Sequence, residues 1–178
     1  MVLSPIGPLR QLLTISPQIV LNSEPAQFSL RVGVARGMVF LHDQKPTSIL
    51  HHDLKSDNML VWQEDHSPQL IANIADFGHA TGTLASTIKT NLFGTGAAIL
   101  AYKAPDALND YFSAASEVYS YGIIRPEVLT REVPWLGYSE AKRTKAIIKE
   151  DTPPLPPHIA AAPLGRMVQT CWVQEPSQ

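Results

Sequence analysis

Two polar strings, set in a fixed order around two strand-like runs, constrain this chain most. His51-His52-Asp53-Leu54-Lys55-Ser56-Asp57-Asn58 leads straight into the apolar run Met59-Leu60-Val61-Trp62. Gln63 to Pro68 holds two acids and a proline, and a second apolar run follows from Leu70 to Ala75. Two such runs joined by a polar turn read as a β-hairpin with a longish loop. Asp76-Phe77-Gly78 comes directly after it, eighteen residues beyond Asn58.

The residue types at these positions suit phosphoryl transfer. That reaction asks a protein for positioning and charge neutralisation more than for covalent chemistry. Asp53 is placed to accept a proton from a substrate hydroxyl and orient it, and Lys55 to reach a transferred phosphate. Asn58 and Asp76 are oxygen ligands of the kind Mg²⁺ takes together with phosphate and water. Phe77 packs, Gly78 lets the backbone turn, and Leu60 would lie under an adenine ring. The bland alternative is a set of solvated loop polars. A metal site built from His42, His51, His52 and His79 is a weak rival, because adjacent histidines on an extended loop point apart and no further ligand has zinc-site spacing.

The rest of the chain reads mostly as helix. Leu30, Val34, Gly37, Met38 and Leu41 recur at helical spacing behind Ser29 as N-cap, and Pro46 ends that helix. Thr47 to Leu50 reads as a short extended piece. Residues 79 to 103 read as a long surface loop, with Thr81, Thr83, Ser86, Thr87, Thr90 and Thr95 as candidate phosphorylation sites. Helices are expected from Ser116 through Leu129, over 139–149, and from Pro163 to Val173. Lys142, Arg143, Lys145 and Lys149 read as a solvated helix face. Pro153, Pro154, Pro156 and Pro157 form a stiff connector. The expectation is a mainly α fold with one small hairpin at the polar string.

Composition closes off other classes. With 178 residues, 44% of them hydrophobic, the chain can bury a sizeable core in a single domain. A net charge of −2 provides no basic face for nucleic acid. The single cysteine, Cys171, excludes an internal disulfide and a cysteine-rich zinc site, and reads as a core thiol beside Trp172. No apolar run approaches the ~20 residues needed to span a bilayer. Pro5, Gly7, Pro8 and Arg10 interrupt the stretch a signal peptide would need. The chain is expected to be soluble and cytoplasmic, with neither a nucleic acid nor a membrane as partner.

The order H-x-D-L-K-x-x-N from His51 to Asn58, then Asp76-Phe77-Gly78, then Ala104-Pro105-Asp106, resembles the large lobe of a eukaryotic protein kinase. Met1 to Leu13 resembles a kinase hinge and its following short helix. Phe28 to His42 resembles the helix before the catalytic loop, and Val133-Pro134-Trp135 and Thr170 to Ser177 resemble later segments. The flavour is tyrosine-kinase-like, similar to Roco or leucine-rich-repeat kinases, while Lys55 is the serine/threonine form. The resemblance implies a partial protein kinase domain over 1–178, hinge plus large lobe, ending before the final helix. It implies transfer of the ATP γ-phosphate to a protein Ser/Thr hydroxyl. Asp53 and Lys55 would be catalytic, Asn58 and Asp76 would hold Mg²⁺, and Leu3, Ser4 and Leu60 would line the adenine site. ATP and a protein substrate are the implied partners, with a small-lobe-supplying or regulatory protein as a further one.

Several positions depart from the family pattern. No glycine-rich strand turn or V-A-I-K lysine precedes His51, so the small lobe is read as absent. Gly94-Thr95-Gly96 and Ala146-Ile147-Ile148-Lys149 lie on the wrong side of the site to replace them. His52 stands where relatives carry an arginine that pairs with a loop phosphate. Asp106 stands for glutamate, which weakens the expected loop anchor. Glu117 stands for aspartate, and its extra methylene is expected to misplace the carboxylate. Pro126 falls inside the central helix at a cost of about 3 kcal/mol. The alternatives to a working kinase are a pseudokinase or protein-interaction module, or a truncated kinase fragment without stable function.

Overall fold

The computed structural model describes residues 3–15, 23–65, 69–84, 87–89 and 100–172. Ser86, Thr90, Thr95 and the string from Val173 onward lie outside them.

Alternation of buried and open residues builds the central sheet. Strands β3 (Met59–Glu64) and β4 (Leu70–Ile74) form the expected hairpin, with Met59 opposite Ile74 and Val61 opposite Ala72. Met59, Val61, Leu70 and Ala72 face the core, which turns Leu60 and Trp62 to the opposite face. Strand β1 (Leu3–Pro8) adds to the other side of β3, giving the antiparallel order β1-β3-β4. Its prolines, Pro5 and Pro8, sit on an edge strand, where the absence of an N–H is tolerated. The register shifts between Pro5 and Gly7.

Two further sheets lie outside this one. Strand β2 (Ser48–Leu50) pairs with β5 (Thr81–Thr83), and β6 (Thr87–Lys89) pairs with β7 (Tyr111–Ser113). The expectation of a mainly α large lobe with a single hairpin and nothing of a small lobe is therefore overturned. The chain is a mixed α/β domain with seven strands among the described residues, one of them at its N-terminus. The stretch expected to be one long loop contributes β5 and β6. Three-residue strands rich in Thr and Gly carry no periodic signal to reveal them.

The helices fall close to their expected places. Helix α1 (Leu9–Ile15) follows β1 directly, and α2 spans Glu24–His42. The latter begins at Ser23 rather than Ser29, with Pro25 in its first turn, where proline is tolerated. It covers β4 closely: a Cβ built on Gly33 would stand 2.6 Å from the backbone oxygen of Ala72. Gly33→Ala is expected to cost about 1–3 kcal/mol, because the atom it meets is backbone and cannot swing aside. A urea melt with an unchanged midpoint would contradict that close approach.

Helix α3 (Ala114–Thr130) is the pillar of the core, with Gly122 to Val128 buried on every side. A reciprocal capping box between Ser113 and Ser116 starts it. It runs on through Pro126, which leaves the carbonyl of Gly122 without its helical donor. Helices α4 (Glu140–Ile148), α5 (Pro157–Ala160) and α6 (Pro163–Thr170) complete the chain. Cys171, expected to be a core thiol, is half-buried against that core.

Candidate active site

A buried carboxylate from α3 holds the polar string in place. Glu117 lies in the first turn of α3 and is 3% exposed. Its Oε1 accepts the backbone N–H groups of both His51 and His52, and its Oε2 meets His42 Nε2 at 2.7 Å. One side chain thus ties the end of α2, the loop and the start of α3 together. The extra methylene does not misplace the carboxylate; it reaches both amides.

His51 then links the loop to the end of β4. Its Nδ1 accepts the Asp53 N–H at 3.3 Å, so the ring proton sits on Nε2 and is donated to the carbonyl of Ala75 at 2.9 Å. The ring stands edge-on to Phe77, with centroids 5.2 Å apart. His52 adopts a left-handed φ of 67° and packs edge-on against Phe112, with Nε2 2.6 Å from Thr81 Oγ1. Burial pushes its pKa down, opposed by Glu117 and reinforced by His51, His79 and Lys103. A neutral, enclosed imidazole therefore occupies the position expected to face a loop phosphate.

Three of the expected site residues converge on one oxygen. Asp53 Oδ2 accepts Lys55 Nζ at 2.7 Å and Asn58 Nδ2 at 2.9 Å, and Asn58 Nδ2 also reaches the Asp53 carbonyl at 2.9 Å. A 3₁₀ turn over Ser56–Asn58 brings Lys55 and Asn58 round to Asp53. The Asp53 side chain keeps 10% of its surface open.

The hairpin carries the remaining residues. Ala75 donates its N–H to the Asn58 carbonyl at 2.8 Å, so Asn58 and Asp76 flank the same open end of the β3–β4 ladder. Asp76 is exposed, has a left-handed φ of 63° and accepts from Gly78 N at 3.4 Å. Aspartate is among the residues that tolerate that conformation best. Leu60 lies one residue inside the ladder, opposite Pro8 of β1. Leu3 and Ser4 lie at the far end, opposite Glu64 and Gln63, and Ser4 Oγ donates to Asp65 at 2.8 Å. The structure thus groups Asp53, Lys55 and Asn58, sets Asp76 and Leu60 beside them, and holds Leu3 and Ser4 apart. Asp106 opens a 3₁₀ turn and accepts the Ala107 N–H at 3.0 Å, with burial pushing its pKa up.

Residues 3–178 match the sequence family described as the protein kinase domain. The chain belongs to the protein kinase family. It is 30% identical over 177 residues to a mitogen-activated protein kinase kinase kinase of Drosophila melanogaster, covering 96% of this chain and 14% of that protein. It is 31% identical over 175 residues to a probable serine/threonine-protein kinase, drkC, of Dictyostelium discoideum, covering 98% of this chain and 22% of that protein. With human mitogen-activated protein kinase kinase kinase 10 it shares 34% identity over 150 residues, 82% of this chain and 15% of that protein. The kinase chain therefore spans less than a quarter of the length of these relatives.

Sequence reasoning missed a second anchor beneath the kinase's polar string. Glu127 of α3, 2% exposed, accepts Ser56 Oγ at Oε1 and Tyr102 Oη at Oε2, each at 2.8 Å. Arg10 of α1 meets the same Oε1 at 2.7 Å and the Tyr102 hydroxyl at 2.6 Å. Burial pushes the Glu127 carboxyl up, while Arg10, Tyr102 and Ser56 pull it down. Burial and Glu127 together raise the Tyr102 phenol well above its ordinary value. A glutamate inside an apolar helix was the available signal, since a buried charge needs a partner.

Among the described residues no helix is long and apolar enough to cross a membrane. None of their His, Cys, Asp and Glu side chains form a group of three that could hold a metal ion. The weak histidine-metal reading finds no support in that geometry. Asn58 and Asp76 instead offer one amide and one carboxylate oxygen. That small, hard donor set fits Mg²⁺, which fills its remaining positions with water and phosphate.

Proposed function

We propose that this chain is the catalytic region of a protein serine/threonine kinase of the tyrosine-kinase-like group. It would transfer the γ-phosphate of ATP to a Ser or Thr hydroxyl of a protein. The observation that carries this reading is the Asp53–Lys55–Asn58 cluster, in which one carboxylate oxygen, Oδ2, takes both donors and the side chain keeps 10% of its surface open.

Asp53 Oδ1 receives the proton of the attacking hydroxyl and fixes its direction. Lys55 and Asn58 hold the carboxylate in one rotamer by bonding the other oxygen. Lys55 Nζ has three N–H groups and spends one on Asp53, so the others can meet the phosphate in flight. Asn58 donates through Nδ2, which leaves its Oδ1 to join Asp76 as a Mg²⁺ ligand. Mg²⁺ held there would neutralise charge on the triphosphate. Leu60 offers an apolar floor for adenine, whereas Leu3 and Ser4, four to five residues further along the β1–β3 ladder, lie too far from Leu60 to line the same ring.

A thermal melt with and without millimolar Mg·ATP tests the site. A ligand at about 100 times its Kd adds about 2.7 kcal/mol to the folded state. For a chain of this size that moves the midpoint by roughly 5–10 °C. Asp76→Ala is expected to abolish the shift while leaving the melt cooperative, since Asp76 is exposed and bonds only to its own turn. A parent chain whose midpoint does not move with Mg·ATP would sink the reading.

A further inference from the structure

We infer that Arg10 is a positioning residue: through Glu127 it couples strand β1 and helix α1 to the Lys55–Asn58 turn and sets where the phosphate-transfer groups stand. The inference rests on the phosphotransfer reading above for its functional meaning, and on geometry for its existence.

Arg10 is the second residue of α1, and α1 starts where β1 ends. Pro8, two residues earlier, pairs with Leu60, so Arg10 leaves the sheet beside the proposed adenine floor. Its guanidinium takes three acceptors. Nη1 meets Glu127 Oε1 at 2.7 Å, Nη2 donates to Tyr102 Oη at 2.6 Å, and Nε lies 3.8 Å from Asp57 Oδ2. A planar fork of fixed geometry can do this, whereas a point charge on a flexible stem cannot.

Two of those contacts lead to the same turn. Asp57 belongs to it directly. Glu127 reaches it through Ser56, which is fully buried and donates from 2.8 Å. The turn is a unit: Asn58 donates its N–H to the Lys55 carbonyl at 3.0 Å, and the side chains of both residues close on Asp53 Oδ2. A displacement at Ser56 and Asp57 therefore carries Lys55 and Asn58 with it and releases Asp53. Removing the guanidinium would leave Glu127 as a buried carboxylate without its cation, a costly state that drives rearrangement.

The variants Arg10→Lys, Arg10→Met and Arg10→Met/Glu127→Gln of the full chain test this. The double variant removes both charges, so it is expected to melt cooperatively. Its kcat is nevertheless expected to fall about 10–100-fold, the cost of a displacement of about 1 Å at a reacting group. Its KM for Mg·ATP should rise too, because Asn58, a proposed Mg²⁺ ligand, moves with the turn, but by less than kcat falls, since Arg10 itself touches no proposed nucleotide group. Arg10→Lys keeps the charge without the fork and should recover only part of kcat. Hydrogen exchange supplies a readout independent of turnover. The Asn58 amide is expected to exchange at least about tenfold faster in the double variant, with the β3–β4 amides unchanged. Unaltered kcat and unaltered Asn58 exchange in a folded double variant would overturn the inference. If the parent transfers no phosphate, the functional reading fails on its own, and the Asn58 exchange result alone decides the coupling.

Discussion

Glu117→Ala is expected to leave the chain unfolded or barely folded at room temperature. The substitution strands two buried backbone N–H groups, on His51 and His52, and the His42 imidazole nitrogen. A buried group left unsatisfied costs about 1–3 kcal/mol. Three of them approach the whole stability of a domain, about 5–15 kcal/mol. Even the low end of that range lowers the melting midpoint by roughly 6–12 °C for a chain this long. Water can restore part of the loss, but Glu117 is 3% exposed, so solvent reaches the site only if α2, the loop and α3 separate. Glu117→Gln is the control. It keeps one carbonyl oxygen for the two amides and gives up only the bond to His42, so it should cost about 1–2 kcal/mol. Urea melts of the two variants would decide the matter. An alanine variant as stable as the glutamine variant would mean that the carboxylate does not hold the loop.

Asp53→Asn is expected to lower kcat about 10²–10⁴-fold, the usual worth of a positioned proton acceptor. The amide keeps the shape of the carboxylate but cannot take the proton of the attacking hydroxyl. It also removes the charge that Lys55 pairs with at 2.7 Å, freeing that ammonium to bind phosphate without orienting the hydroxyl. Affinity for Mg·ATP should change little, because Asn58 and Asp76, not Asp53, are the residues proposed to hold the metal. Stability should fall by about 1–2 kcal/mol, since the Asp53 and Lys55 side chains are only 10% and 17% exposed and the substitution removes a charge-assisted bond. Steady-state assays at saturating Mg·ATP would show the loss in kcat. Turnover within tenfold of the parent would remove Asp53 from its assigned role.

The hairpin and its two polar strings were legible because they are local. A turn, two alternating runs and the residues flanking them lie within thirty positions, and covalent order places them. Helix α2 was legible from its apolar spacing, although its start was not: Ser29 and Ser23 are both plausible caps, and the sequence does not rank them. Strand β1 was hidden. Two prolines argue against a strand until a partner turns one side of it into an edge, and the partner, β3, is more than fifty residues away. That hidden strand is what makes the domain mixed α/β rather than mainly α.

The same division runs through the site. The residue types at Asp53, Lys55, Asn58 and Asp76 are those that the kinase resemblance assigns to phosphate chemistry. Which oxygen of Asp53 takes both donors was decided by the turn that brings Lys55 and Asn58 to it. The two carboxylates beneath, Glu117 and Glu127, lie 66 and 71 residues from the loop atoms they bind. Nothing local requires those pairs. They exist because packing α3 against the loop buries the charges, and a buried charge persists only where donors meet it. The sequence by itself determined the protein kinase family of the chain and the residue types proposed for its chemistry; the tertiary structure decided how those residues are held, because long-range burial selects its partners by proximity and not by order along the chain.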